Sequence, residues 1–375
     1  MSERAYRRLL DALGDAADII TGPIGARNAR ERAEGFRNIT RVLSVALEMI
    51  LEKGDRAHPA FTRWINPWRK LLGDNPWTFY DAALIDPKLC YRVHGRRNAP
   101  TYLGFCVYGT AEDTAKKGAR RIVGNLDDSE MHFEEDGSFE LFLGAERPPE
   151  ARNWIELAAD ASDLLVRQYF LVPGEQEPAT YGIEATPKPP APEALSEEEF
   201  AARLDAVVAW VLDVIHVEAT ISALAEHSTP HLLRDGEEYA EKEGEAGGPP
   251  IDPSYVAKAM PTPAILYTGS WVNDLGDDEV MVVEGRPPKA RYWSIQLLSR
   301  WMESPDFLHH QVFFTQENTI LEPDGSFRVS IAHRDPGVPN WLDTTGLASG
   351  NITIRALKAE EQSLDVQFRR EKLSG

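Results

Sequence analysis

Two stretches near the C-terminal end hold the residue types that move protons. One is the run from Arg300 to His310, with Trp301, Glu303, Asp306, His309 and His310; the other is His333-Arg334-Asp335-Pro336-Gly337 followed by Asn340-Trp341-Leu342-Asp343-Thr344-Thr345. A carboxylate beside an imidazole orients the ring and raises its basicity, which is how a general base is prepared. On this reading His333, His309 or His310 is the base, Asp343 or Glu303 orients it, and Arg334 holds an anionic group of the substrate. If the two loops meet, Glu, Asp and His share one pocket, which suits acid–base chemistry or a metal held by His309, His310 and His333. No other cofactor is expected. The plainer account is a loop carrying a solvated pair of histidines. A second chemistry is sugar binding, with Trp301 and Trp341 as stacking platforms and Asn340 beside them.

A third cluster, Asp213, His216, Thr220 and His227, falls at spacings of three, four and seven, which puts the four on one helix face. The alternative is the solvated side of an amphipathic helix. His227 and His231 stand four apart like a zinc pair, but Pro230 lies between them and breaks the helical register that such a pair needs. The chain contains no Gly-x-Gly-x-x-Gly, P-loop, Gly-x-Ser-x-Gly or Cys-x-x-Cys motif, which lowers the weight of nucleotide cofactors and of the common nucleophile enzymes.

The elements that must position these residues are announced by an internal repeat. Asp136-Gly137-Ser138-Phe139 returns as Asp324-Gly325-Ser326-Phe327; Gly95-Arg96 returns as Gly285-Arg286, Asn153-Trp154 as Asn340-Trp341, and Arg167 as Arg355. The offset stays between 187 and 190 residues throughout, so a β module of about one hundred residues occurs twice. Shared landmarks are read as fold, and function is sought where the copies differ, at His333 and Asp343. In each copy Asp-Gly before an alternating apolar run is a hairpin signal. The Asn-Trp pair is read as structural, with Asn capping a turn and Trp in the core.

Around the modules, helical periodicity covers residues 3–20 and 36–51, and a short helix or helical turn is expected over 59–72. Residues 184–195 are a Pro-rich linker, and Ser196 with Glu199 opens a helix that runs to about Glu226. Residues 234–250 are polar and acidic, a candidate loop or lid. The expected division is a helical cap (1–72), a first module (73–183), a linker with long helix and acidic loop (184–262) and a second module (263–375). The fold class is mainly β with added helices: two related antiparallel β-sandwich, jelly-roll-like modules.

Charged residues make up 27% and apolar residues 42% of the chain, the balance of an ordinary globular protein. A net charge of -20 without a Lys/Arg run argues against a nucleic-acid partner. No apolar run was found that approaches the ~20 residues of a bilayer span, and no secretory leader is evident, so a cytoplasmic protein without a membrane partner is expected. Cys90 and Cys106 are placed on neighbouring strands as a reduced pair. A homodimer is possible.

At Ala290-Arg291-Tyr292-Trp293-Ser294-Ile295-Gln296-Leu297, Pro323-Asp324-Gly325-Ser326 and the run from His333 to Asp343, the second module resembles the bacterial family called domain of unknown function 1214. The first module is a weaker copy. The resemblance implies an all-β, jelly-roll-like module, often paired with a second β domain, and it implies no activity or catalytic residue. From the residues themselves, the leading expectation is a hydrolase or lyase acting on a small, partly apolar metabolite at the second module or the inter-module cleft. The alternatives are a carbohydrate or small-molecule binding protein, and a structural subunit.

Overall fold

The computed structural model describes residues 1–110, 120–172, 174–227 and 262–373. Three helices form a layer: α1 (Ser2–Thr21), α2 (Ala29–Ala46), which runs into a π-helical turn at Leu47–Glu52, and α3 (Glu197–His227). The first module carries β1 (Thr62–Arg63), β2 (Thr78–Leu84), β3 (Cys90–Arg96), β4 (Tyr102–Thr110), β5 (Arg120–Asp127), β6 (Ser138–Gly144), β7 (Asn153–Glu156), β8 (Ala161–Tyr169) and β9 (Thr180–Thr186). The second carries β10 (Ile265–Val272), β11 (Glu279–Gly285), β12 (Tyr292–Leu298), β13 (Phe313–Thr315), β14 (Phe327–Ala332), β15 (Trp341–Asp343), β16 (Gly350–Leu357) and β17 (Val366–Lys372).

The duplication is complete at the level of topology. Sheet orders β2-β8-β4-β5 and β7-β6-β3-β9 in the first module return as β10-β16-β12-β13 and β15-β14-β11-β17 in the second, and β1 is an addition to the first. Each module is a sandwich closed on its own core: Tyr91, Val93, Phe105, Leu141, Leu164 and Val166 in one, Val283, Ile295, Val329, Ile331, Leu342 and Ile354 in the other. The expectation of purely antiparallel sheets needs one refinement, because β6–β7 and β14–β15 pair in parallel.

The shared landmarks acquire physical reasons. A Cβ at Gly95 would lie 1.9 Å from the Thr180 carbonyl oxygen, and one at Gly285 would lie 2.4 Å from that of Asp365, so the adjoining strand tolerates only glycine there. The following arginines reach over the sheet edge to Asp136 and Asp324 of the Asp-Gly turns. Those turns carry positive φ at Gly137 (78°) and Gly325 (82°). They lead into β6 and β14, whose partners are β3 and β11, so the Asp-Gly motif is a tight turn rather than the tip of a long hairpin. Asn153 accepts from the His132 amide at 2.7 Å and donates to His132 and Glu140 carbonyls. Asn340 repeats this with Ile320 and Arg328. Each asparagine replaces ladder bonds where the chain enters the parallel pair.

The helix layer lies on the outer face of the first module's five-stranded sheet, where Tyr80, Ala82, Cys106, Tyr108 and Leu165 meet Leu9, Ile20, Val42, Val207, Val211 and Ile215. Asn28 caps α2 by accepting from the Glu31 amide at 2.9 Å, and Ser196 does the same for the Glu199 amide at 3.0 Å. Contrary to the expectation that no apolar span is present, α3 is long and apolar enough to cross a bilayer by length and composition. Its apolar residues are instead consumed by α1, α2 and the sheet beneath. Residues 59–72 are not a helix: β1 pairs with β2, and Asn66 closes a tight turn by accepting from the Trp68 and Arg69 amides. Trp64 is buried there, while Trp68 is 71% exposed. The cysteines sit on different sheets, Cys90 on β3 and Cys106 on β4, and both are free. The 234–250 segment lies outside the described residues.

Asn153→Ala and Asn340→Ala should each cost about 1–3 kcal/mol, because buried backbone groups lose their partners. Chemical denaturation of the two variants checks this, and a loss below ~0.5 kcal/mol in both would contradict the stapling role.

Candidate functional site

A β-strand sends alternate side chains to opposite faces. On β8, Leu164 and Val166 enter the sandwich core, which turns Arg167 and Tyr169 outward; on β16, Ile352 and Ile354 enter the core, which turns Arg355 and Leu357 outward. The two outward faces meet. Tyr102, Tyr169, Tyr292 and Leu357 form the apolar seam between modules, with ring centroids of Tyr169 and Tyr292 5.0 Å apart. Across the seam, Asp127 and Asp128 of the first module hold Lys358 and Arg291 of the second.

Beside this seam lies a cavity of about 60 Å³ between the modules. Arg167 and Arg355 both line it, and each is only 4% exposed. The residues around them repeat as well. Arg167 stands opposite Tyr80 on β2 and Gly104 on β4; Arg355 stands opposite Tyr267 on β10 and Ser294 on β12. The guanidinium of Arg167 lies 6.0 Å from the Tyr80 ring and that of Arg355 lies 5.8 Å from the Tyr267 ring. These distances are in cation–π range. Trp64, Ile65, Leu71 and Leu165 make the apolar wall. Leu72, Gly73 and Tyr267, on the cavity lining, are half-buried.

The remaining wall is the arch Leu72–Asp74, whose first two residues have positive φ, 52° and 70°. Such a backbone costs energy at leucine and persists only where the surroundings hold it. Here they do. The Leu72 amide donates to Glu218 on α3 at 2.7 Å, the Gly73 amide to the Met302 carbonyl at 2.7 Å, and Arg355 Nη2 to the Gly73 carbonyl at 2.7 Å. Asp74 accepts from the Ser304 amide and hydroxyl at 2.8 and 2.6 Å. Arg355 Nε, Thr353 Oγ1 and Gln296 Oε1, all on this outward face of the second module, are buried without a hydrogen-bond partner. Burial pushes the Tyr80 phenol up, against the pull of Arg355 and Arg167, so it stays a donor.

Met302 and Ser304 belong to the loop after β12, which plugs the second module into the helices. Trp301 is 0% exposed, with Nε1 donating to the Glu31 carbonyl at 2.7 Å, and Arg300 pairs with Glu31 and Glu226 at 3.0 and 2.9 Å. A Cβ at Gly35 would stand 2.8 Å from the Trp301 ring, so α2 carries glycine where the ring lies. This corrects the stacking assignment: Trp301 is a core residue. Glu303 is also buried, paired with Arg41 at 2.6 Å, and therefore orients no histidine. Its burial pushes the carboxyl up to about 7, with Arg41 and Asn38 pulling against it. Burial raises the Glu218 carboxyl as well, opposed by the Leu72 amide.

The other expected site residues are dispersed. His333 uses both ring nitrogens, on Thr344 Oγ1 at 2.6 Å and on the Leu275 carbonyl at 2.8 Å, and so staples two loops together. His309 is paired with Asp306 at 2.8 Å on the open surface. His310 does meet Asp343, at 2.7 Å, as the general-base reading required. Arg334 is exposed and lies 3.6 Å from Asp277. Asn340 is the staple described above, and half-buried Trp341 donates to the Ala332 carbonyl at 3.1 Å. Among the described residues no group of three or more His, Cys, Asp or Glu could hold a metal, so the His309, His310 and His333 site is not formed. On α3, Thr220 is buried rather than solvated, and His216 Nδ1 lies 2.9 Å from the Leu212 carbonyl oxygen. Glu226 is engaged by Arg27 and Arg300, and His231 lies outside the described residues.

A duplicated β-sandwich with a buried arginine from each copy in one cavity is the class of protein that these features define. The model of the family described as "Protein of unknown function (DUF1214)" matches residues 79–170 and 276–361, one stretch per module, so the family resemblance holds in both copies. A crystal structure of an uncharacterized protein from Burkholderia cenocepacia is similar at TM-score 0.85 and 29% identity, covering 99% of this chain and 98% of that one. The VPA0106 protein from Vibrio parahaemolyticus aligns over 97% of this chain and 99% of its own, at 12% identity and TM-score 0.48, too weakly to carry an argument. No curated protein matches.

Glu303 keeps its proton to about 7 in the folded chain and releases it near 4.5 when unfolded. Its contribution to stability is therefore full below pH 4.5 and is lost as pH rises to about 7. Burial acts on Glu218 in the same direction. Denaturation measured across this window should show stability falling with pH, and Glu303→Gln with Glu218→Gln should flatten the fall. A slope unchanged in the double variant would contradict the assignment.

Proposed function

We propose that this is a small-molecule binding protein whose anionic ligand sits between the two modules, against Arg167 and Arg355. The observation that carries the reading is the convergence of two nearly inaccessible guanidiniums, one from each repeat, on one cavity. Arginine is not deprotonated in proteins, and burying a charge costs several kcal/mol unless a counter-charge or hydrogen bonds compensate it. Two cations that converge on one cavity set up a local field that draws an anion to it. The orphaned Arg355 Nε supports the same conclusion, because a donor is held ready without an acceptor.

A second reading, acid–base catalysis of the hydrolase or lyase type, is supported by the 2.7 Å contact of His310 with Asp343. That pair stands on an exposed surface and neither residue lines the inter-module cavity, so binding is the first reading. An activity that disappears in His310→Ala and survives in Arg355→Met would favour the second.

The anion reading is tested by melting the protein in formate, acetate, phosphate and sulfate against chloride at equal ionic strength. At least one oxyanion should raise Tm by about 2 °C or more, through binding to the folded state alone. The rise should be absent in Arg167→Met/Arg355→Met. A wild-type Tm that ignores all four oxyanions overturns the reading.

A further inference from the structure

We propose that the outer face of α1 is the contact surface for a second copy of this chain, the two α1 helices packing antiparallel about a two-fold axis at Asp11. This face is apolar where a helix beside water is ordinarily polar. Tyr6 and Leu10, one turn apart, are 54% and 52% exposed, and Phe36 of α2, next to the Gly35 that meets Ile20 of α1, is 41% exposed. Gly14 continues the row by one more turn. A glycine weakens the middle of a helix, and no atom lies within 4 Å of the place its Cβ would take, so nothing in the single chain calls for it. A second helix does. The row Tyr6, Leu10, Gly14 is a ridge with a gap at its end, and Leu10 of an antiparallel copy fits that gap.

Charge names the occupant. On the exposed face Arg4 and Arg7 stand in the first half of α1, and Asp11, Asp15 and Asp18 in the second. Arg7 has an exposed pair with Glu3, whereas Arg4, Asp11, Asp15 and Asp18 make no ion pair among the described residues. Counted outward from Asp11, Arg7 and Asp15 are each four residues away, and Arg4 and Asp18 each seven. In an antiparallel pair Arg7 therefore faces Asp15 of the second copy and Arg4 faces its Asp18, and each contact occurs twice. The opposed helix dipoles add to the attraction, while a parallel pair would set like charges together. Asp11 meets its own equivalent at the axis, a repulsive contact. Such surface charges choose partner and direction more than they hold it. An interface of ordinary size takes about 800 Å² from each partner, and α1, with 20 residues and a length of about 30 Å, gives part of this, so the association is weak. Phe36 extends it, lying beside the end of α1 that receives the second copy's Tyr6.

Sedimentation velocity of the full chain between about 1 and about 100 µM tests this. The wild type should pass from the 41.9 kDa monomer to twice that mass as concentration rises. Leu10→Asp and the pair Arg4→Asp/Arg7→Asp should each weaken dimerisation by about tenfold or more, with the melting temperature of the dilute monomer unchanged. Arg4→Asp/Arg7→Asp/Asp15→Arg/Asp18→Arg, which exchanges the two ends and keeps the net charge, should restore the dimer. Asp11→Asn should strengthen it by about twofold, because the repulsion at the axis is gone. A wild type that remains monomeric at about 100 µM overturns the proposal, as does a dimer that survives Leu10→Asp. A dimer that the exchange fails to restore, or that Asp11→Asn weakens, overturns the antiparallel arrangement. Should the charge-reversed variants fail to fold, the wild type, Leu10→Asp and Asp11→Asn still decide.

Discussion

The constraint on which the molecule turns is that two buried arginines share one cavity between the modules. Each guanidinium brings a desolvation cost of several kcal/mol, and like charges add to it. The protein offsets this locally. Tyr80 and Tyr267 present ring faces to the two cations, and the Gly73 carbonyl accepts from Arg355. These partners come from both modules and from the segment joining them to the helices. Each cation has its ring partner in its own module, and the bond from Arg355 to the Gly73 carbonyl ties the second sandwich to the arch of the first.

The helix layer and the plug serve that arrangement. Leu72 and Gly73 adopt a left-handed backbone because Glu218, Met302 and Arg355 hold them from three sides. Met302 is in place because its neighbour Trp301 is locked beneath α2, at a position where Gly35 leaves room for the ring. Burial favours the neutral forms of the Glu303 and Glu218 carboxyls inside this region, whose cations are Arg41, Lys70, Arg167, Arg300 and Arg355. Trp301 and Glu303 of the loop after β12 are therefore held by packing and by their bonds to α2, Trp301 to the Glu31 carbonyl and Glu303 to Arg41.

Much of the architecture was legible in the sequence, because a repeat conserves order and spacing even where side chains diverge. The Gly-Arg, Asp-Gly and Asn-Trp landmarks each proved to be a local necessity: a close strand approach, a positive φ and a backbone staple. The segment 59–72 was misread because its Trp and Ile residues imitate helical spacing while a two-residue pairing with β2 decides the conformation. Trp301 and Glu303 were misread for a different reason. Their partners, Glu31 and Arg41, are more than 260 residues away in sequence, and no local pattern announces a contact of that range.

The site was hidden in plain view. Arg167 and Arg355 stood among the repeat landmarks, and the assumption that function lies where copies differ set them aside. A duplication that packs like faces against each other makes the opposite expectation natural. Residues at matching strand positions then face one another across the seam, as Arg167 and Arg355 do at the inter-module cavity. Tyr80 with Tyr267 and Tyr102 with Tyr292 follow the same rule, one from each copy on the same two walls. What the copies do not share is the segment from Trp64 to Asp74, which closes the cavity on the side that symmetry leaves open and is held there by Glu218 of α3 and by Met302 and Ser304 of the loop after β12.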